Sequence, residues 1–168
     1  MRMLRRDHYD LASNWKVVVE NFNECYHCPI AHPKFSSVID TDHEFYSTYY
    51  GPILKSPGAG VTYATLWPNV MFALSGDPPS MQVISAVPSN VGHTRQTVDY
   101  FFAGDPTEAQ MQDYVEFSDL VTREDIVLCE SVQRGLRSGA IKHGRLMLSR
   151  ERGIQHFQKL VYRFLSGE

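Results

Sequence analysis

Basic residues are not in excess in this sequence, and this already excludes one class of partner. Sixteen lysines and arginines stand against nineteen aspartates and glutamates, which gives a formal net charge of -3. Proteins that bind nucleic acid generally present a basic surface, so we expect no nucleic-acid partner. Long hydrophobic runs are also lacking. No apolar stretch approaches the roughly 18 residues that a membrane span requires, so we expect no membrane association.

Cysteine is scarce, and a signal sequence is not apparent. The chain has three cysteines, which are too few for a disulfide framework and are typical of a reducing compartment. The charged residues near the N-terminus are not followed by an apolar stretch, so this segment does not resemble a signal peptide. We therefore expect a cytoplasmic protein.

The sequence does contain enough apolar material for one folded domain. Of its 168 residues, 43% are hydrophobic and 21% are charged, so we predict a single domain over residues 1–168. Helical spacing predicts a first helix over residues 13–26, with Ser13 or Asn14 as its N-cap. It also predicts a long helical region from Asp105 to about Gln133 and a last helix over residues 153–165.

Between the helices, several short segments read as strands because they are rich in aromatic and β-branched residues and are separated by proline, glycine and asparagine. Short connections favour antiparallel pairing, so the order of elements predicts an α+β domain in which an antiparallel β-sheet packs against helices. The predicted strands cover residues 44–50, 61–67, 69–75, 81–87 and 93–102.

The densest cluster of potential metal ligands lies in residues 21–33, where His27 and His32 are accompanied by glutamate, asparagine and cysteine. Neutral imidazole is a common ligand of iron, zinc and copper. Five residues of separation do not lie on one helical face, because five steps of 100° overshoot a full turn by about 140°. Both histidines face one ion only if the chain bends between them, and Pro29 supplies a reason for such a bend.

Three other interpretations of this cluster compete with a shared metal site, and the first two of them stay open. The histidines are satisfied polar residues in one of them, as most histidines in globular domains are. In the second, Cys25 and Cys28 join His32 in a zinc site, for which a fourth ligand would have to come from elsewhere. In the third, Cys25 and His27 resemble half of a Rieske iron–sulfur motif. The required second half is absent from the following residues, so no Rieske cluster is expected in this chain.

A second candidate segment covers residues 123–136. On a helix, Asp125 would share a face with Leu128 and Cys129, and an acid on an apolar face is costly unless it is paired or bound to a metal. One interpretation is that Asp125 pairs with an arginine or caps a helix. The other is that it joins His27 and His32 in a 2-His-1-carboxylate triad, which holds Fe(II) and leaves positions open for O₂ and water.

These segments together resemble the catalytic domain of Rieske non-haem iron oxygenase α subunits. The resemblance is carried by NWKVVVENFNECYHCPIAHP at positions 14–33 and by EDIVLCESVQRGL at positions 124–136. Trp67-Pro68-Asn69 and GRLMLSRERGIQHF at positions 144–157 fit as well. The family fold is helix-grip-like, with the substrate between sheet and helix, which agrees with the predicted order of elements.

The resemblance implies a role for each matching residue. His27, His32 and Asp125 match the ligands of a mononuclear Fe(II) ion. Glu24 matches the acid that links a Rieske-cluster histidine of one subunit to an iron-ligand histidine of its neighbour, and Asn21 matches a polar residue beside the iron. Positions 21, 24 and 27 would lie within about a third of a helix circumference, which agrees with a shared site.

The resemblance is nearest to the choline, glycine-betaine and carnitine oxygenase branch, because position 24 is glutamate and is followed by cysteines. It implies hydroxylation or oxidative demethylation of a quaternary ammonium compound. Aromatic residues of the predicted sheet would form a cation–π cage for such a group or serve as ordinary core. These residues are Phe45, Tyr46, Tyr49, Tyr50, Tyr63, Trp67 and Phe72. The alternatives are an aromatic-ring dihydroxylating domain and a non-catalytic helix-grip binding module.

The resemblance also implies partners. Electrons would come from a Rieske [2Fe–2S] domain, which is expected on a missing part of the polypeptide or on a partner, and from a reductase. O₂ is the co-substrate. Family members form rings in which the cluster and the iron of adjacent subunits meet, so a homotrimer is the expected assembly.

Overall fold

The computed structural model describes residues 1–39, 48–50, 53–57 and 60–167. Within these ranges the chain forms seven strands and five helices, so the predicted α+β class with an antiparallel sheet is confirmed. In chain order the elements are β1 (Arg2–Leu11), α1 (Trp15–Phe22), α2 (Cys28–Ala31), α3 (Pro33–Ser36), β2 (Thr48–Tyr50), β3 (Ile53–Pro57), β4 (Val61–Leu66), β5 (Val70–Gly76), β6 (Pro79–Asn90), β7 (His93–Phe102), α4 (Glu108–Arg137) and α5 (Arg152–Ser166).

The described strands form one antiparallel sheet in the order β1-β7-β6-β5-β4-β3-β2. From β2 to β7 each strand pairs with the next along the chain, as short connections predict. Strand β7 alternates between buried and more exposed residues, with Thr94, Val98 and Tyr100 among those that face the core. The sheet therefore has one side that packs on the helices.

Two strands escape the sequence pattern. Strand β1 is dominated by charged residues, and its buried positions are Tyr9 and Leu11 near its end. It forms an edge of the sheet beside β7, where Arg6 makes an ion pair with Asp99 at 2.5 Å. Strand β3 is only five residues long. The first part of the strand predicted over 44–50, residues 44–47, lies outside the described residues.

The predicted first helix is correct in its start and wrong in its end. Asn14 is the N-cap of α1 and accepts a hydrogen bond from the Lys16 backbone N–H at 3.0 Å, but α1 ends at Phe22 and Asn23 is its C-cap. The long helical region is one helix, α4, which begins at Glu108 rather than near Asp105. Its start is set by a capping box, because the side chains and backbone N–H groups of Thr107 and Gln110 bond reciprocally.

Helix α4 packs along the sheet and is fixed to the junction between β1 and α1. The backbone N–H of Ala12 donates to Glu130 at 2.9 Å, and the backbone N–H of Asn14 donates to Gln133 Oε1 at 2.8 Å. Ser13 donates to the Cys129 carbonyl at 3.3 Å. These contacts hold α4 beside the start of α1, so the turn of α4 just before Cys129 faces the segment that follows α1.

Candidate metal centre

The segment between α1 and α3 places both histidines, but not in the way that helical spacing predicts. Because α1 ends at Phe22, Glu24 and His27 lie beyond it in a turn that closes with a Cys28 N–H to Cys25 carbonyl hydrogen bond of 3.3 Å. The prediction that positions 21, 24 and 27 share one helix is therefore wrong. They meet because the chain leaves the helix and turns back.

The bend predicted at Pro29 is also displaced. Pro29 lies in the first turn of α2, where the missing N–H of proline costs no intrahelical bond. The chain leaves helical geometry instead at His32, whose ψ is 68°. His32 precedes Pro33, and a residue before proline is driven out of the α region. One helical turn followed by this break points the two imidazoles at each other.

The structure brings His27, His32 and Asp125 together. The Nε2 atoms of the two histidines are 3.2 Å apart. Oδ1 of Asp125 lies 3.0 Å from His32 Nε2 and 3.5 Å from His27 Nε2, and one ligand atom from each of the three residues lies within 4.8 Å of the others. Asp125 comes from α4, so the cluster joins residues almost a hundred positions apart.

Each histidine presents its other ring nitrogen to a carboxylate. Nδ1 of His27 contacts Oε1 of Glu24, and Nδ1 of His32 lies 2.7 Å from Oε2 of Glu124. A hydrogen bond from Nδ1–H to a carboxylate fixes the tautomer in which Nε2 carries a free lone pair. In this tautomer the Nε2 lone pairs of both histidines point toward one position, where they could bind a metal ion. Glu124 is a residue that the sequence pattern missed, because helical spacing places it on a more solvated face.

Asn21 and the charges of the cluster hold Asp125 as a carboxylate. Asn21 Nδ2 donates to Asp125 Oδ1 at 2.7 Å. Burial alone would raise the pKa of Asp125, but hydrogen bonds from His27 and His32 outweigh burial and lower the pKa. Burial would lower the pKa of His27, yet hydrogen bonds to Asp125 and Glu24 raise it to about 9. A metal ion that binds at these Nε2 atoms would therefore displace protons from the cluster.

The donor set fits a mononuclear Fe(II) ion. Two imidazole nitrogens and one carboxylate oxygen are the ligands of the facial triad, and the carboxylates behind the histidines are the outer partners that such ligands generally have. The pairing of Asp125 with an arginine is not what the structure shows. Its hydrogen bonds go to His27, His32 and Asn21.

The cysteines do not behave as the sequence suggests. Cys25 and Cys28 form a disulfide, which the small number of cysteines did not predict, and the zinc interpretation loses two of its ligands. The turn between them brings their Cα atoms to 5.0 Å, which is within bonding range. The third cysteine, Cys129, is free and buried, and burial raises the pKa of its thiol.

A cavity of about 180 Å³ adjoins the cluster, between the sheet and α4. His27, His32 and Asp125 belong to its wall. Many of its other lining residues are aromatic or aliphatic, and Glu24 and Asp125 are acids in the wall. The lining aromatic residues are Phe22, Phe35, Tyr63, Tyr114 and Phe117.

Of the aromatic residues predicted to form a cage, the structure places only Tyr63 in the described cavity wall. Tyr63 lines the cavity, and burial raises its pKa. Trp67 packs against Phe164, with 5.2 Å between ring centroids, and neither Trp67 nor Phe72 is part of the described lining. Phe45 and Tyr46 lie outside the described residues, and Tyr49 and Tyr50 belong to β2.

Tyr114 of α4 could have been found by counting back from Asp125. Tyr114, Ser118 and Thr122 precede it at spacings of three and four, which place them on one helical face. This face also carries polar contacts across the cavity wall. Gln82 Nε2 donates to the Tyr114 hydroxyl at 3.1 Å, and the Ser118 hydroxyl donates to Gln82 Oε1 at 3.2 Å.

A cluster of two histidines and one carboxylate in the wall of a buried cavity is typical of non-haem iron oxygenases. Comparison with known families agrees. The family described as "Ring hydroxylating alpha subunit (catalytic domain)" matches residues 1–60 and 52–167. The chain belongs to this family, and the predicted resemblance to Rieske oxygenase catalytic domains is confirmed.

Individual proteins that are similar to this chain include choline and carnitine monooxygenases. A chloroplastic choline monooxygenase of Atriplex hortensis is 30% identical over 98% of this chain and 40% of its own length. The carnitine monooxygenase oxygenase subunit of Acinetobacter baumannii is 31% identical over 92% of this chain and 48% of its own. The chain thus spans about half the length or less of these relatives.

No helix in the described ranges combines the length and apolar character needed to cross a membrane.

Solved structures give the same result. The quaternary ammonium Rieske monooxygenase CntA in complex with L-carnitine is 35% identical, with a TM-score of 0.85 over 97% of this chain and 49% of that one. NdmA of Pseudomonas putida CBB5 is 15% identical with a TM-score of 0.71 over 95% of this chain and 49% of that one, which shows a shared fold alone.

Proposed function

We propose that residues 1–168 are the mononuclear Fe(II) catalytic domain of a Rieske-type monooxygenase. The observation that carries the proposal is the convergence of His27 Nε2, His32 Nε2 and Asp125 Oδ1 in the wall of the cavity. Bound there, Fe(II) supplies open coordination positions for activating O₂ toward a substrate C–H bond. Insertion of one oxygen atom, rather than two, follows the monooxygenases among the relatives.

The residues around the metal each have a defined task in this proposal. His27 and His32 bind through Nε2 because Glu24 and Glu124 hold the proton of each ring at Nδ1. Asp125 binds through its carboxylate, which Asn21 orients by a hydrogen bond from Nδ2. The apolar lining of the cavity excludes bulk water from the reacting carbon.

The proposed substrate is a small quaternary ammonium compound, which is hydroxylated and, where the new hydroxyl lies on an N-methyl carbon, demethylated. Aromatic faces attract such cations, and the cavity wall contains five aromatic side chains. The relatives act on choline and carnitine, and the bound ligand of the CntA structure is carnitine.

Electrons are proposed to come from a Rieske [2Fe–2S] domain, on the same polypeptide or on another chain, supplied by a reductase. A quaternary ammonium Rieske monooxygenase that is 29% identical, with a TM-score of 0.85, has been described in terms of carnitine oxidation and inter-subunit electron transfer. By analogy we propose a homotrimer in which Glu24 connects His27 to the cluster of a neighbouring subunit. A cytoplasmic location stays a prediction, since the choline monooxygenase relative is chloroplastic.

Metal content after anaerobic loading with Fe(II) tests this proposal. We expect about one iron per chain in the wild type and strongly reduced iron in Asp125→Ala. The double variant Cys25→Ser/Cys28→Ser is the matched control and should retain wild-type iron, because neither sulfur is a ligand. Zinc retained by both the wild type and Asp125→Ala, or no metal in either, would contradict the proposal and favour a non-catalytic binding module.

A further inference from the structure

We propose that Glu124 is a positioning residue that acts through His32 and sets the strength and geometry of metal binding. The proposal rests on the function proposed above. Its basis is a contact within the described chain: Oε2 of Glu124 lies 2.7 Å from Nδ1 of His32. Glu124 is not a ligand in this arrangement, because the opposite edge of the ring faces the cluster.

The imidazole of His32 is held at both nitrogens by consecutive residues of one helix. Asp125 Oδ1 lies 3.0 Å from Nε2, while Glu124 Oε2 lies 2.7 Å from Nδ1. Consecutive residues of a helix point about 100° apart, so their side chains reach opposite edges of the ring. The extra methylene of Glu124 carries its carboxylate to the farther nitrogen. Helix α4 therefore supplies a ligand and the orienting group of another ligand in one dipeptide.

Burial makes this contact consequential. The side chain of His32 is 2% exposed, whereas that of Glu124 is 27% exposed. With the ring enclosed, water has little access to replace Glu124 as the acceptor for Nδ1–H, and a buried donor without a partner is costly. Loss of Glu124 therefore allows the ring to rotate or to adopt the tautomer with the proton on Nε2. Either change removes a lone pair from the metal position.

Glu24 performs a similar contact on His27, but the two acids are not equivalent. Glu24 also accepts from backbone N–H groups of its own turn, those of Tyr26 and His27. Glu124 reaches His32 from another element, 92 positions away. Its carboxylate thus couples the position of α4 to the orientation of a ligand. We assign Glu124 to metal binding, whereas Glu24 is assigned to electron transfer.

The test uses four variants of the full chain and Co(II) as the probe. Glu124→Leu fills similar volume without an acceptor, Glu124→Gln keeps an acceptor at the same length, and Glu124→Asp keeps the charge but withdraws it by about 1.5 Å, one C–C bond. Glu116→Gln, at an exposed position on the same helix, is the control. Competition against a chromophoric chelator gives the Co(II) affinity, and the visible absorption bands of bound Co(II) report its ligand geometry.

We expect Glu124→Leu to bind Co(II) about 10- to 100-fold more weakly, with altered absorption bands. Glu124→Gln should restore most of the affinity and the wild-type bands, since an amide oxygen still accepts from Nδ1–H. Glu116→Gln should equal the wild type. A purely structural role would change the melting temperature without this rescue and without a change in the absorption bands of the folded protein.

Wild-type affinity and bands in Glu124→Leu would overturn the inference, provided that the wild type binds one ion and Asp125→Ala binds none. That result leaves the proposed function intact. If Glu124→Leu fails to fold, Glu124→Asp decides, because its shortened carboxylate should weaken binding and wild-type behaviour would again overturn the inference. A wild type that binds no Co(II) and no Fe(II) overturns both proposals together.

Discussion

The two histidines of the cluster stand in differently built surroundings. His27 and its carboxylate partner Glu24 are three residues apart in one turn, and the side chain of His27 is 16% exposed. His32 is 2% exposed and is held by Glu124 and Asp125 of α4. One half of the site is local in sequence, and the other half exists only when α4 is packed in place.

Aromatic packing reinforces the second half. The ring of Phe35 lies 6.2 Å from that of His32 and stacks at 6.3 Å on Phe117 of α4. The ammonium group of Lys34 lies 5.7 Å from the Phe117 ring. These contacts join the segment after His32 to α4 independently of any metal. We infer that the His32 side of the site supports the fold, whereas the His27 side is free to serve the reaction.

The largest expected effect separates the two glutamates by function. Glu24→Gln should spare Fe(II) binding, because its amide oxygen still accepts from His27, yet abolish coupled oxidation when a Rieske partner and reductase are supplied. Product formation and iron content are measured on the same preparation. Undiminished product formation would contradict the assignment of Glu24 to electron transfer. Glu24 and Glu124 would then not differ in function.

A smaller effect separates the two histidines by stability. In metal-free protein, His32→Ala should lower the free energy of unfolding by about 2 kcal/mol more than His27→Ala, because it leaves a cavity and removes contacts that hold α4. Urea denaturation in the presence of a chelator measures both, so bound metal does not contribute. Equal losses of unfolding free energy in the two variants would show that His32 and its contacts with α4 stabilise the fold no more than His27 does.

The smallest expected effect tests whether contacts of α4 outside the candidate metal centre also stabilise the fold. Asp119 accepts a hydrogen bond from the Tyr9 hydroxyl of β1 at 2.7 Å and one from Arg123 at 2.8 Å. The Arg123 hydrogen bond, ahead of the opposing effect of burial, lowers the pKa of Asp119. Asp119→Asn should cost about 1 kcal/mol of unfolding free energy at pH 7.

The pH dependence of this effect follows from its sign. An aspartate whose folded pKa is below its unfolded value, about 3.9, stabilises the fold above that value and loses its contribution as the pH falls through the folded pKa. The difference between wild type and Asp119→Asn should therefore be constant near neutrality and shrink below about pH 4. Asp113→Asn, at an exposed position of the same helix, should show neither the cost nor the trend.

The residues around His27 could be predicted from the sequence, although the turn that holds them could not, and the contacts of His32 with α4 were predicted only in part. The family motif assigned His27, His32 and Asp125 to one cluster, and the structure does bring them together. Glu124 was missed because a helical pattern tells which residues share a face of α4. It does not tell that His32, from another segment, contacts a residue at the edge of that face. The metal-binding roles of His27, His32 and Asp125 stay predictions until metal content is measured.

The fold shows the same division between local and tertiary information. The alternating pattern of β7 predicted its bounds correctly, since the signal lies within ten adjacent residues. Strand β1 was missed because it is largely charged and gains its strand structure from pairing with distant β7. The early end of α1 was also missed, because helical spacing continues past Phe22 and does not tell where the chain turns back.

The position of β1 has a consequence for the order in which the protein assembles during synthesis. Arg2 pairs with Phe102 and Leu11 with Thr94, so β1 cannot pair until β7 has been made. At ribosomal rates this delay is roughly 5 to 20 seconds. Asp125 and Glu124 emerge later still, so both histidines and Glu24 are made before the two acids of α4 exist. Metal uptake by the proposed site would therefore belong to the end of folding, after the sheet has formed and α4 has packed against it.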